Sequence, residues 1–244
     1  MSPRRHAEKL LPGLAKPSRR SHYSSGTRRA LVDVATRLFA EHGYAGTSLD
    51  AIVAGADVTK GALYHHFSGK QAVFESVFEA IESDAARRIR QALRGTRDPW
   101  QKALVGLRAF LEVVQDPAYQ RIVVQEGPAI LGYERFREQE ERSSYAIVQE
   151  IVREVLRAST YQLDEPMLAT FTRIFFGALS AAGESVTGAE DPRLAGARVE
   201  TALGFILTGL RALAEQGVTL PDPEQVLVEQ RADSGDEDED TGDA

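Results

Sequence analysis

Residues 57–74 read DVTKGALYHHFSGKQAVF, and the fold turns on them. Thr59 is a hydroxyl residue standing where a helix begins, and Leu63 and Phe67, four apart, share one face of the helix that follows. Ser68, with Gln71 three residues on, marks a second helix start that continues on Phe74, Val77, Phe78 and Ile81. Upstream, TRRALVDVATRLFAEHG (residues 27–43) sets Leu31, Ala35, Leu38 and Phe39 on one helical face and stops at Gly43. TSLDAIVAGA (residues 47–56) takes Thr47 as its expected N-cap, with Asp50 three residues later and Leu49, Ile52 and Val53 pointing inward. The link Gly55-Ala56-Asp57-Val58 is short, and Asp57 tolerates a left-handed turn conformation. Three short helices with a tight turn between the second and third make a helix-turn-helix.

With Leu63 and Phe67 inward, the third helix turns Lys60, Gly61, Ala62, Tyr64, His65 and His66 outward. The paired histidines raise three readings: a metal site, a catalytic pair, or a polyanion surface. Adjacent helical residues point about 100° apart, so His65 and His66 do not converge on one ion. No carboxylate lies four residues from either, there is no cysteine, and Met1 and Met167 are distant in sequence. DNA fits better. Gly61 and Ala62 are short enough for close approach to a major groove, with the Lys60 ammonium beside base edges or phosphate. Tyr64 and His66 are placed to donate to phosphate oxygens. Lys70 opens the next helix, whose free N–H groups also favour an anion. The expectation is a double-stranded DNA partner, with no catalytic residues, no metal and no cofactor.

The charge distribution agrees. Residues 1–70 hold eleven Lys/Arg against five acids, a net +6, which leaves −13 for the other 174 residues of a chain that totals −7. Residues 1–25 mix Pro, Ser, Arg and Lys without apolar periodicity and read as a flexible basic arm; residues 229–244, ending DEDEDTGDA, read as a disordered acidic tail. There is no cysteine and no apolar run near the ~20 residues of a membrane span, which suggests a cytoplasmic protein with no membrane partner.

The remainder reads as helix. DPWQKALVGLRAFLEVVQD (residues 98–116) starts with Asp98 as cap and Pro99 at the first helical position, and further helices are expected over 117–126, 134–158, 164–187 and 192–216. No alternating β pattern of useful length appears, so the class is all-α. The expected domains are a helix-turn-helix over 26–72 and a larger helical ligand-binding and dimerisation domain over 73–228. Trp100, Phe110, Tyr133, Tyr145 and Phe175 are the candidate ligand-binding residues, for a small-molecule effector of unknown identity. Small residues in the last two helices (Gly177, Ala178, Ala181, Ala182; Ala202, Gly204, Gly209) suit a two-fold helical interface, hence a homodimer. No nucleophile elbow, phosphate loop or His/carboxylate constellation points to an enzyme.

The stretch from Thr27 to Phe78 resembles the DNA-binding domain of the TetR/AcrR family of bacterial transcriptional regulators. The matching residues are ATRLFAEHGY (35–44), TSLDAI (47–52), VTKGALYHHF (58–67) and SGKQAVF (68–74), in that order. The resemblance implies base reading by Lys60, Gly61, Ala62, Tyr64 and His65, phosphate contacts by Tyr64, His66 and Lys70, and a backbone-contacting cap at Thr47. Thr59 joins them as the cap of the reading helix. One departure is Asp57, where the family commonly has glycine. The resemblance further implies a homodimeric repressor on a palindromic operator, released by an effector. The alternative is a DNA-architectural or protein-binding helical module without operator specificity.

Overall fold

The computed structural model describes residues 19–159, 164–222 and 224–226, so the acidic tail and most of the expected arm lie outside the described residues. Among the described residues every regular element is a helix. They are α1 (Arg19–Gly46), α2 (Leu49–Gly55), α3 (Lys60–His66), α4 (Lys70–Ala92) and α5 (Pro99–Val114), then a π-helix (Tyr119–Glu126). After it come α6 (Gly127–Leu131), α7 (Tyr133–Arg142), α8 (Ser144–Arg157), α9 (Glu165–Thr187) and α10 (Pro192–Glu215). Contacts divide the chain into two compact units between Val77 and Phe78, five residues beyond the boundary expected at 72/73.

In the first unit α1, α2 and α3 pack on one another. Leu31, Ala35, Phe39, Ile52, Leu63, Val73, Phe74 and Val77 are wholly buried. Each such large side chain contributes about 1.5–3 kcal/mol through burial. The rings of Phe39 and Phe74 meet edge-on with centroids 5.3 Å apart, and Tyr44 stands edge-on to Phe74 at 5.3 Å. Gly55 lets the end of α2 approach α1, because a Cβ there would stand 2.7 Å from Val34 Cγ1.

Two local expectations are corrected. The first helix begins at Arg19, inside the stretch assigned to a flexible arm. Gly43 ends its regular course as expected, leaving the helical region at φ 71°, ψ 176°, and a short further turn runs to Gly46 beyond that kink. That kink swings Thr47 back under α1, where its hydroxyl donates to Gly43 O at 2.8 Å and Leu38 O at 3.0 Å. Thr47 is therefore spent on closing α1. The N-cap of α2 is its neighbour Ser48, whose Oγ accepts from Ala51 N at 3.1 Å. Asp57 does take the left-handed conformation, at φ 53°.

In the second unit α5, α8, α9 and α10 pack on one another. Asp98 caps α5 through Gln101 N, Asp164 caps α9 through Met167 N, and Asp191 caps α10 through Arg193 N and Leu194 N. Each of these three helices carries Pro in its first turn, where a missing N–H costs nothing. The single helix expected over 134–158 is two, α7 and α8, parted at Ser143 (φ −115°, ψ −81°). The stretch expected as an ordinary helix over 117–126 is a π-helix from Tyr119. It runs into Gly127, where a Cβ would stand 2.8 Å from the Phe78 ring and 3.1 Å from Ile122 O.

A candidate nucleic-acid interface and a candidate effector cavity

The outer face of α3 is built by its own cap and two anchors. Thr59 Oγ1 accepts from Ala62 N at 3.2 Å and fixes the first turn. Leu63 and Phe67 enter the core, at 0% and 4% exposed. Lys60, Gly61, Tyr64 and His65 are consequently exposed, with Ala62 and His66 half-buried beside them. Tyr64 is the most telling, a large ring 59% exposed with nothing of its own fold to cover it. Lys70 begins α4, its ammonium 4.4 Å from the Tyr44 ring centroid and 3.5 Å from Ala45 O. Of the residues expected at this surface, Thr47 alone is buried, at 3% exposed.

Two of these groups have altered proton affinity. Lys60 Nζ lies 2.7 Å from Asp50 Oδ1, and that hydrogen bond, with the attraction of the carboxylate, raises its pKa. The ammonium is therefore charged at every physiological pH and already oriented by α2. No sequence pattern announced Asp50 as its partner, because the two lie on different helices. The pKa of His66 is lowered, first by burial, then by the neighbouring His65 and by Arg28. The two imidazoles stand edge-on with centroids 5.2 Å apart. Among the described residues no group of three or more His, Asp or Glu side chains is arranged to hold a metal ion.

The second unit holds a partly open cavity of about 130 Å³. Trp100, Phe110 and Phe175 line it as expected positions, joined by Phe171 from α9 and Leu203 and Leu207 from α10. Tyr133 and Tyr145 do not line it. Tyr133 is 73% exposed, its hydroxyl accepting from Arg137 at 3.2 Å. The Tyr145 ring instead packs edge-on against Phe176, centroids 5.4 Å apart. The lining is apolar apart from the hydroxyl of Ser144 and the indole of Trp100. Arg121 and Glu126, the polar pair of the π-helix, face each other at 3.7 Å.

Ser144 leads to a group that sequence reading missed. Glu82 of α4 is 3% exposed. Its Oε1 accepts from the Tyr119 hydroxyl at 2.9 Å, and its Oε2 accepts from the Ser143 and Ser144 hydroxyls, the latter at 3.0 Å. The partners lie 37, 61 and 62 residues away in the chain, beyond the reach of any local pattern.

A third surface lies on α9 and α10. Phe205 is 80% exposed, Ile174 62%, Ile206 49% and Leu213 44%. Small residues sit among them: a Cβ added at Gly177 or Gly209 would meet nothing within 4 Å.

An all-α chain with a helix-turn-helix unit followed by a cavity-bearing helical unit is the architecture of a one-chain transcription regulator. Comparison with known proteins makes the family definite. The family described as "Bacterial regulatory proteins, tetR family" matches residues 31–77, and "Tetracyclin repressor-like, C-terminal domain" matches residues 100–210. A solved TetR-family transcriptional regulator from Pectobacterium atrosepticum is 29% identical with a TM-score of 0.67, over 80% of this chain and 97% of that one. The transcriptional regulator AcrR of Shigella flexneri is 45% identical over 58 residues, 24% of this chain and 27% of that protein. The transcriptional repressor KstR2 of Rhodococcus jostii is 31% identical over 98 residues, 40% of this chain and 44% of that protein. The chain thus spans less than half the length of these two curated relatives. It belongs to the TetR family of bacterial transcriptional regulators. Among the described residues no helix is long and apolar enough to cross a membrane.

Proposed function

We propose that the chain is a cytoplasmic, homodimeric repressor that holds a palindromic operator and lets it go when a small molecule enters the second unit. The observation that carries this reading is the outer face of α3. A seven-residue helix held by a cap and two buried anchors presents a lysine, a tyrosine and two histidines with no apolar side chain among them exposed except the Tyr64 ring. Lys60, Gly61, Ala62, Tyr64 and His65 read base edges, while Thr59, Tyr64, His66 and Lys70 hold the backbone of the duplex. Thr47 acts from behind, by closing the end of α1 that leads into α2.

The exposed apolar stripe of α9 and α10 supports pairing with a second copy across a two-fold axis. Pairing sets the distance between two copies of α3, which must match half-sites about 34 Å apart. An effector that favours a dimer of different spacing weakens operator binding by the difference in its affinity for the two states.

The test is selection of bound duplexes from a random pool. The native protein is expected to recover a palindrome, and Tyr64→Ala to recover it in about tenfold lower yield at the same protein concentration. Lys70→Ala should weaken binding to every sequence and flatten its salt dependence, whereas Lys60→Ala should change the preferred base. Failure of a folded dimer to enrich any sequence would replace operator recognition with an architectural or protein-binding role.

A further inference from the structure

The cavity of the second unit has a chemical signature at its polar end, and the inference drawn from it rests on the reading of that cavity as an effector site. Ser144 contributes the one side-chain hydroxyl among the lining residues. Its hydrogen is already given to Glu82 Oε2 at 3.0 Å, so all that its Oγ has left to offer a ligand is lone pairs. Glu82 holds that arrangement firmly. Its two oxygens take three hydroxyl donors, and among the described residues no lysine, arginine or histidine forms an ion pair with it.

A ligand group that only accepts hydrogen bonds therefore meets no side-chain hydroxyl hydrogen at this end. An anionic group fares worse, since it would be desolvated against apolar walls with a buried carboxyl directly behind Ser144. A neutral group with a hydrogen to donate meets a free acceptor. The part of the molecule that enters must be apolar and small. At about 130 Å³ the cavity is close to the ~150 Å³ of an apolar cavity known to take benzene. Four aromatic residues, Trp100, Phe110, Phe171 and Phe175, contribute to its lining and suit a ring.

We propose that the cavity binds a neutral, monocyclic phenol, whose ring occupies the aromatic walls and whose hydroxyl donates to Ser144 Oγ, with Glu82 acting as the positioning residue that turns Ser144 into an acceptor. This assigns a ligand class to the site and a role to the buried carboxyl.

Calorimetric titration of the full chain with four probes of similar shape tests the assignment: 4-ethylphenol, ethylbenzene, 4-ethylanisole and 4-ethylbenzoate. The phenol is expected to bind at least ten times more tightly than ethylbenzene or the anisole, which lack the donor, and the benzoate to give no heat of binding. Ser144→Ala should leave ethylbenzene affinity as it was and remove the advantage of the phenol; Ser144→Thr, which keeps the hydroxyl, should restore it. Because Ser144→Ala takes one donor from a buried carboxyl, its circular dichroism and melting are compared with Ser144→Thr before the titration is read. Equal binding of the phenol and ethylbenzene would overturn the phenol assignment and leave the cavity as an effector site. Tighter binding of the benzoate would overturn the assignment by reversing its charge logic. No binding by any of the four would overturn both the assignment and the reading of the cavity on which it rests.

Discussion

Helices α3 and α10 both leave side chains in solvent, and the contrast between what they leave there separates two kinds of partner. On α3 the exposed side chains are those of Lys60, Tyr64 and His65, groups that donate hydrogen bonds or carry charge. On α10 they include Phe205 and Ile206, which do neither. A surface of the first kind stays hydrated until a polyanion replaces the water. One of the second kind loses free energy for as long as it stays wet, at roughly 25 cal/mol for each Å². The first suits a partner that comes and goes; the second suits one that stays.

The sharpest way to break this contrast is inside α3 itself, where buried and exposed residues adjoin. Leu63→Ala empties a wholly buried position and is expected to cost about 2–5 kcal/mol of stability, read as a large fall in the melting temperature. Next in size is Phe205→Glu on α10, which should leave the fold intact and turn a dimer into a monomer in sedimentation. Operator affinity should drop about thirtyfold or more with it, since an aromatic anchor of an interface is worth roughly 2 kcal/mol or more. A variant that stayed dimeric would remove α10 from the interface. Tyr64→Ala should shift stability by no more than about 0.5 kcal/mol while weakening DNA binding about tenfold. The neighbours Leu63 and Tyr64 would then fail in opposite assays.

Two smaller effects follow from backbone and charge. The folded-state pKa of His66 is lowered, so above its ordinary value of 6.5 the imidazole is neutral in both folded and unfolded chains and the stability is unaffected. As pH falls through 6.5 the unfolded chain takes up the proton first, and stability declines until the folded-state pKa is passed. A phosphate beside His66 works the other way, favouring the charged ring. DNA affinity should therefore rise a few-fold between pH 8 and pH 6, and His66→Gln should flatten that slope. Asp57→Gly is the smallest change. It relieves a residue at φ 53° but frees the unfolded chain, for a net gain of about 0.5 kcal/mol in chemical denaturation.

How much of this was legible beforehand depends on chain distance. Thr59, Leu63, Phe67 and Asp57 lie within eleven residues, and each obeys a local rule of capping, periodicity or turn geometry. The same rules misassigned the cap of α2, because Thr47 and Ser48 are adjacent hydroxyl residues. What separates them is the path of the chain after the kink at Gly43; the glycine marks the stop but not the direction taken beyond it. In the second unit, apolar spacing identified helices but not which aromatic residues face the cavity. Tyr133 and Phe110 look alike in sequence, yet one is exposed beside Arg137 and the other lines the cavity. The Glu82 cluster was beyond reach altogether, because its donors come from the π-helix and the α7–α8 junction. That junction itself fell inside a stretch read as one helix.

Trp100 stands in the cavity wall, and it is the one tryptophan of the chain. The intact protein therefore carries a built-in optical probe at a single known address. Light absorbed by its indole reports the polarity and crowding of that wall and of no other part of the molecule. A molecule entering the cavity changes the colour or yield of that emission, whereas an event confined to α3 leaves it as it was. Occupancy and DNA engagement can accordingly be followed separately in one cuvette, without a label or a substitution.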